Sequence, residues 1–311
     1  MEEDTVPQPA AGQALIRVHY STVNPYDRIC LNAEAKNEGF VLGCDGCGVV
    51  EAVGEGVDAE KWIGKKVAFL GGGWARYAVK DVDYLVTFSD DFDLKKGANT
   101  YVNPFTVTAM LDIAQKNGAK AVILLAASSA LAKQMIRLCQ QHGITTVSIV
   151  RKDEQVQDLK ENYGAEHVLN QTSPTFFADL EKSIAQTGAS VLYECVGGDL
   201  PGDVLERMPR QAIMVVYGNL THKRITFPAH TFHWLDQQII GLVMYRWLSS
   251  QITSEERAKW FSLVAKDLED GGKVFGTKII KTAGLADWEK FIVESEGDAT
   301  NGKYLINLID A

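Results

Sequence analysis

The sequence predicts a two-part α/β fold, in which a small β-rich domain is joined to a doubly wound parallel sheet. Three observations carry that prediction. Apolar and polar residues alternate between glycine-marked turns through the first hundred residues, the texture changes abruptly at Asn103-Pro104, and uninterrupted apolar runs then alternate with amphipathic stretches. With 311 residues and 46% apolar side chains, the chain can give each domain its own core.

Residues 14 to 20 (Ala-Leu-Ile-Arg-Val-His-Tyr) alternate in the manner of a half-buried strand and follow Pro9 and Gly12. Residues 46–54 and 65–70 repeat the pattern, with Gly54, Gly56, Gly64 and Gly71 to Gly73 at the turns. A helix over about 105–117 ends at Gly118, and the run Ala121-Val122-Ile123-Leu124-Leu125-Ala126 suits a parallel strand covered on both faces. There follow helix 129–142, strand 146–150, helix 153–163, strand 167–169, helix 175–186, strand 191–195, helix 200–207 and strand 213–217. Residues 238–247 read as one more apolar strand, and an amphipathic helix runs from Ser254, its N-cap, to Asp270. The tail reads as strand 274–281, helix 285–295 and strand 303–309. These spans divide the chain into a split β-rich domain, 1–100 with 271–311, and a parallel-sheet domain, 101–270.

A net charge of -9 with no block of Lys and Arg disfavours nucleic acid and anionic lipid, which leaves small molecules and proteins as partners. No apolar run is long enough for a membrane span, and the acidic opening Met1-Glu2-Glu3-Asp4 is unlike a secretory or transit sequence. The expected compartment is the cytoplasm, with an organellar route left open. The five cysteines, Cys30, Cys44, Cys47, Cys139 and Cys195, are scattered and odd in number, which fits reduced thiols. Cys44 and Cys47 form a C-x-x-C, but no second pair or suitably spaced histidines follow, so they read as small buried residues and not as metal ligands.

In a doubly wound sheet a dinucleotide lies at the carboxyl ends of the strands, with its pyrophosphate on the helix after the first strand. That turn is Ala126-Ala127-Ser128-Ser129-Ala130-Leu131-Ala132, which has no glycine. Its small side chains still allow close approach, and the hydroxyls of Ser128 and Ser129 are candidate phosphate donors; a tight turn that binds nothing is the alternative. The second strand ends before Arg151-Lys152, where an NAD enzyme carries an acid for the ribose. Two cations there favour the 2′-phosphate of NADP(H), although Asp153 and Glu154 follow at once and an exposed helix start has the same composition.

Several strings, in order along nearly the whole chain, resemble one family. They are Ile16-Arg17-Val18-His19-Tyr20-Ser21-Thr22-Val23-Asn24-Pro25-Tyr26-Asp27, Leu42-Gly43-Cys44-Asp45-Gly46-Cys47-Gly48-Val49-Val50, Val53-Gly54-Glu55-Gly56-Val57, Val102-Asn103-Pro104-Phe105-Thr106, Gly164-Ala165-Glu166-His167-Val168-Leu169 and Val196-Gly197-Gly198. Together they resemble the quinone oxidoreductase branch of the medium-chain dehydrogenase/reductase superfamily. The resemblance implies a GroES-like substrate domain and a Rossmann-type domain. Where the family's alcohol dehydrogenases hold zinc with a Cys and a Gly-His-Glu, this chain has Asn24-Pro25 and Gly43-Cys44-Asp45, and so resembles the zinc-free branch.

Without a Lewis acid, the chemistry implied is hydride transfer from NADPH to a quinone or an α,β-unsaturated carbonyl, followed by protonation. The resemblance places Asn24 and Thr106 beside the nicotinamide, with Asn24 orienting the substrate oxygen or the carboxamide. Tyr26 is a candidate proton donor, with packing as its alternative role. Val196-Gly197-Gly198 and Tyr217-Gly218-Asn219 follow strands whose ends approach the cofactor, and Lys303 matches a segment that returns to the site in relatives; ordinary turns and a solvated surface charge are the alternatives. Two departures from the family pattern stand out: the phosphate turn lacks glycine, and the chain enters at the second half of the family's first motif. The rival readings are a catalytically silent subunit of a larger assembly and a reductase of trans-2-enoyl thioesters. Family relatives pair their last sheet strand across a two-fold axis, which makes 238–247 the expected edge of a homodimer.

Overall fold

The computed structural model describes residues 5–33, 40–298 and 300–309, so the acidic opening and part of the loop 29–41 lie outside the described residues. Contacts divide the chain into two compact units, Met1–Phe105 with Thr253–Ala311, and Thr106–Ile252. The chain opens with β1 (Gln13–Thr22), β2 (Asp45–Val53), β3 (Lys66–Leu70), β4 (Tyr77–Asp81) and β5 (Val86–Phe88). It then contributes β6 (Ala121–Leu124), β7 (Thr145–Val150), β8 (His167–Asn170), β9 (Val191–Glu194), β10 (Ile213–Val216) and β11 (Gln238–Gly241) to the second unit, and returns to the first with β12 (Ile279–Gly284) and β13 (Lys303–Asn307).

In the first unit the strand order is β12-β13-β1-β2-β3-β5, with β4 also paired to β1. The alternation of β1 does what a period of two requires: Ala14, Ile16 and Val18 are buried on one face, in a core with Val67, Phe69, Trp74, Phe291, Tyr304 and Ile306. The helix Ser254–Glu269, expected with the parallel sheet, packs on β5 and belongs to this unit. Its cap is Thr253 and not Ser254. The Thr253 hydroxyl accepts from the Glu256 amide at 3.2 Å and the Glu256 carboxylate accepts from the Thr253 amide at 2.8 Å, a reciprocal box that Ser254, one residue further in, has no geometry to make.

The second unit is a six-stranded sheet, wholly parallel, in the order β11-β10-β9-β6-β7-β8. The chain enters at β6, winds out to β8, and resumes on the other side at β9, so β6 and β9 flank the point where the winding reverses. All four residues of β6 are buried, as an uninterrupted apolar run sandwiched between helices must be. The expected strand 238–247 stops at Gly241, because the following apolar residues bury with a helical and not an alternating spacing. Met244–Arg246 is helical, Trp247 and Leu248 are buried side by side, and Trp247 Nε1 donates to Asp112 at 2.8 Å. The tail is shifted as well: the strand expected at 274–281 is β12, and the helix is Trp288–Gly297.

Candidate functional site

In the first unit, β1 ends at Thr22 and the helix Pro25–Ala33 begins three residues later, which turns Asn24 inward to 1% exposure. Its carboxamide is engaged at both ends. Nδ2 donates to Asp45 at 2.9 Å, and Oδ1 accepts from the Lys303 ammonium at 2.6 Å, which fixes the orientation of the amide. Lys303 is therefore not a solvated surface charge: it is buried and closes a relay from ammonium through carboxamide to carboxylate. Asn24, expected to orient a ligand, has both ends of its amide engaged within the protein.

The centre of this cluster is Asp45, which the sequence did not single out. One oxygen accepts from Asn24 and Asn99 Nδ2, each at 2.9 Å, and the other from the amides of Tyr101 and Val102 at 2.8 and 2.9 Å. Four donors and no acceptor mean that the carboxylate is ionised, although burial pushes its pKa up. Burial pulls Lys303 down, opposed by the carboxylates of Asp45 and Asp27. Asp27 is buried nearby and accepts from the amides of Asn24 at 2.7 Å and Cys44 at 2.8 Å; desolvation outweighs these bonds and raises its pKa to about 6. The signal that sequence reading missed was an acid inside an apolar β-strand string, Cys44-Asp45-Gly46-Cys47, with no cation near it in sequence. Tyr26, in the first turn of the same helix, is 54% exposed and lies outside the buried cluster.

In the second unit the residues after β6 form the expected turn. Ala126 sits at a φ of +48°, a left-handed conformation that an L-residue adopts at a cost and glycine adopts freely. The Ala127 amide donates to Ile149 at 3.0 Å, and Ser129 caps the helix Ala130–Gln141 by accepting from the Ala132 amide at 3.2 Å. Among the described residues the amides of Ala130 and Leu131 are left without partners at that helix start. The Ser128 hydroxyl is buried and also unpartnered, so it faces inward and not toward an incoming phosphate. Arg151 and Lys152, just past β7, are exposed and form no ion pair among the described residues. Thr106 is buried in the helix Val102–Lys116.

The glycines after β9 answer to protein neighbours. Gly197, at a φ of +79°, has no room for a Cβ, which would meet Asn219 Oδ1 and the Lys223 carbonyl at 2.7 Å. The Thr221 amide donates to the Val196 carbonyl at 3.1 Å, Gly198 donates to Arg224 at 3.2 Å, and Gly218 lies against Cys195. Glu194 anchors this turn by accepting from the Gly197 amide, while its second oxygen is buried without a partner. Burial raises its pKa, as it does that of the Tyr217 phenol.

A model of the alcohol dehydrogenase GroES-like domain matches residues 10–90, and one of the zinc-binding dehydrogenase domain matches residues 130–262, together more than half of the chain. Pig quinone oxidoreductase is 28% identical over 195 residues, 61% of this chain and 59% of its own. A solved structure described as an NADPH:quinone reductase of Mesorhizobium loti superposes with a TM-score of 0.84 at 29% identity, covering 97% of this chain and 88% of its own. The chain belongs to the medium-chain dehydrogenase/reductase superfamily, in its quinone oxidoreductase-like branch.

Within the superfamily, the human mitochondrial enoyl-[acyl-carrier-protein] reductase is 27% identical over 251 residues, 75% of this chain. The chain spans 65% of that relative's length. Among the described residues no three His, Cys, Asp or Glu side chains converge to hold a metal ion. Of the C-x-x-C pair, both members are buried free thiols, and Cys47 Sγ donates to the Leu94 carbonyl at 3.1 Å.

Proposed function

We propose that this medium-chain reductase is a zinc-independent, NADPH-dependent oxidoreductase that delivers hydride to a quinone or an α,β-unsaturated carbonyl. The observation that carries the proposal is the set of unanswered donors and cations at the carboxyl ends of β6 and β7. Among the described residues the amides of Ala130 and Leu131 have no partner, and Arg151 and Lys152 stand exposed without an ion pair. A helix start with free amides takes a pyrophosphate, and two cations past the second strand take a 2′-phosphate.

When bound, NADPH supplies the hydride and the carbonyl-bearing substrate accepts it. Thr106 keeps the place beside the nicotinamide that the family resemblance implies, and Tyr26 the part of proton donor to the anion left on the substrate. Asn24 acts as a positioning residue, held between Asp45 and Lys303. The ends of β9 and β10, at Val196-Gly197-Gly198 and Tyr217-Gly218-Asn219, form a wall of the nucleotide site whose shape is set by their mutual packing.

The similarity to the enoyl reductases favours a second substrate reading, a trans-2-enoyl thioester, with reduction of the same conjugated C=C. No helix of the described residues is long and apolar enough to cross a membrane, and we place the enzyme in the cytoplasm or an organelle matrix. The test is NADPH oxidation with three acceptors in parallel, a benzoquinone, an enone and crotonyl-CoA. Turnover of the first two ahead of the thioester supports the leading reading, preference for crotonyl-CoA the second, and no turnover at all the silent-subunit alternative.

A further inference from the structure

The first unit contains a cavity of about 470 Å³, remote in sequence from every residue assigned to the reductase site. Three segments wall it: the helix Ala59–Trp62 with the turn after it, the stretch from Asp83 through β5, and the helix Ser254–Glu269. Its floor is apolar, formed by Trp62 with the buried side chains of Leu85, Phe88 and Phe261. Phe261 is locked in place by rings of Tyr101 and Phe105 at 5.8 and 5.0 Å, so the floor is preformed. Ala258 and Ser262, on the helix side, are too short to fill the space.

The charges around this floor are of the wrong sign for the chain as a whole. On a protein with a net charge of -9, Lys61, Lys65 and Arg257 line the cavity against a single lining carboxylate, Asp83. Asp90 pairs with Lys65 at 3.2 Å, but that pair is well exposed and holds little free energy. The Arg257 guanidinium lies over the Tyr84 ring at 4.4 Å, and the exposed Lys61 ammonium is 5.8 Å from the Trp62 ring, which places both cations along the rim. An apolar floor, a cationic rim and the hydroxyls of Thr87, Ser254 and Ser262 line one space.

We propose that this cavity binds an amphipathic organic monoanion, a carboxylate on an aliphatic body, separately from the nucleotide. The carboxylate sits between Arg257 and Lys61, and the hydrocarbon covers Trp62, Leu85 and Phe261. The volume falls within the range of small-ligand pockets, about 300–1,000 Å³.

The test is calorimetric titration of the full chain with decanoate below its micellar range, with decyltrimethylammonium as the charge-reversed control. The expected result is one saturable site for decanoate and none for the ammonium. Lys61→Gln and Arg257→Gln should each weaken binding about tenfold, the scale of a lost charge-assisted hydrogen bond. Ser262→Trp, on an exposed helix position, fills the cavity and should abolish binding, with circular dichroism and the unfolding midpoint reporting that the variant is folded. Arg151→Ala should bind decanoate as the wild type does. No saturable binding, equal binding of the ammonium, an unaffected Ser262→Trp or a loss in Arg151→Ala each overturns the proposal.

Discussion

Lys303 is the residue on which the buried polar cluster of the first unit depends for its charge balance. Its ammonium neutralises the field of Asp45 through Asn24, and neither end of that relay reaches water. Removing one partner of a buried charge pair leaves the other uncompensated, so Lys303→Met should cost about 3–5 kcal/mol in urea unfolding. The half-buried surface pair Lys281–Glu294 offers the contrast, and Lys281→Met should cost less, about 1 kcal/mol, in the same assay. Asp27 carries a pH signature of its own. Its folded pKa of about 6 lies above the ordinary carboxylate value of 3.8, so the folded state holds the proton more tightly than the unfolded chain. That contribution to stability is complete below pH 3.8 and is lost as pH rises through about 6, by up to about 3 kcal/mol. The difference in unfolding free energy between wild type and Asp27→Asn should therefore become less favourable to the wild type from pH 4 to pH 7; a flat or opposite trend contradicts the assignment.

At the scale of elements, the turn after β6 and the cap of the helix Ser254–Glu269 make separate expectations. Ala126→Gly removes the left-handed cost of about 1–2 kcal/mol and adds back about 0.5–1 kcal/mol of glycine flexibility. Its midpoint should stay level or rise slightly, where a Gly→Ala change in the reverse sense at such a site normally harms. Thr253→Ala breaks the capping box and should lower stability by about 1 kcal/mol, with Thr253→Ser close to wild type. Elements were the most legible part of the sequence. Buried runs such as Ala121–Leu124 and alternating ones such as Gln13–Thr22 declare their own burial, because periodicity is a local property. The short strands Tyr77–Asp81 and Val86–Phe88 and the helix Pro25–Ala33 were not legible, being set by pairing with β1 and β3 and by buried side chains distant in sequence. The same reason hid Asp45, whose four donors come from residues 24, 99, 101 and 102.

At the scale of the whole molecule, strand β11 is an edge of the parallel sheet, and Ile240, Val243 and Tyr245 beside it are 36%, 54% and 56% exposed. Apolar side chains along an unpaired strand suit pairing with a second copy, and we propose that the enzyme forms a homodimer through this edge. Sedimentation should give a dimer for the wild type and a monomer for Val243→Asp, an exposed position where the change leaves the fold intact; a monomeric wild type contradicts the pairing. Family membership was legible from ordered strings spread along the chain, whereas the state of the turn after β6 was not, since the unpaired amides and inward serine among the described residues follow from backbone geometry. The most direct test of the central claim is a calorimetric titration with NADPH and NADH in parallel, for wild type and Arg151→Ala. Saturable NADPH binding, tighter than NADH and weakened about tenfold in Arg151→Ala with NADH unchanged, is the expected result. Failure of either nucleotide to bind at millimolar concentration contradicts the reductase and leaves a fold used as a scaffold.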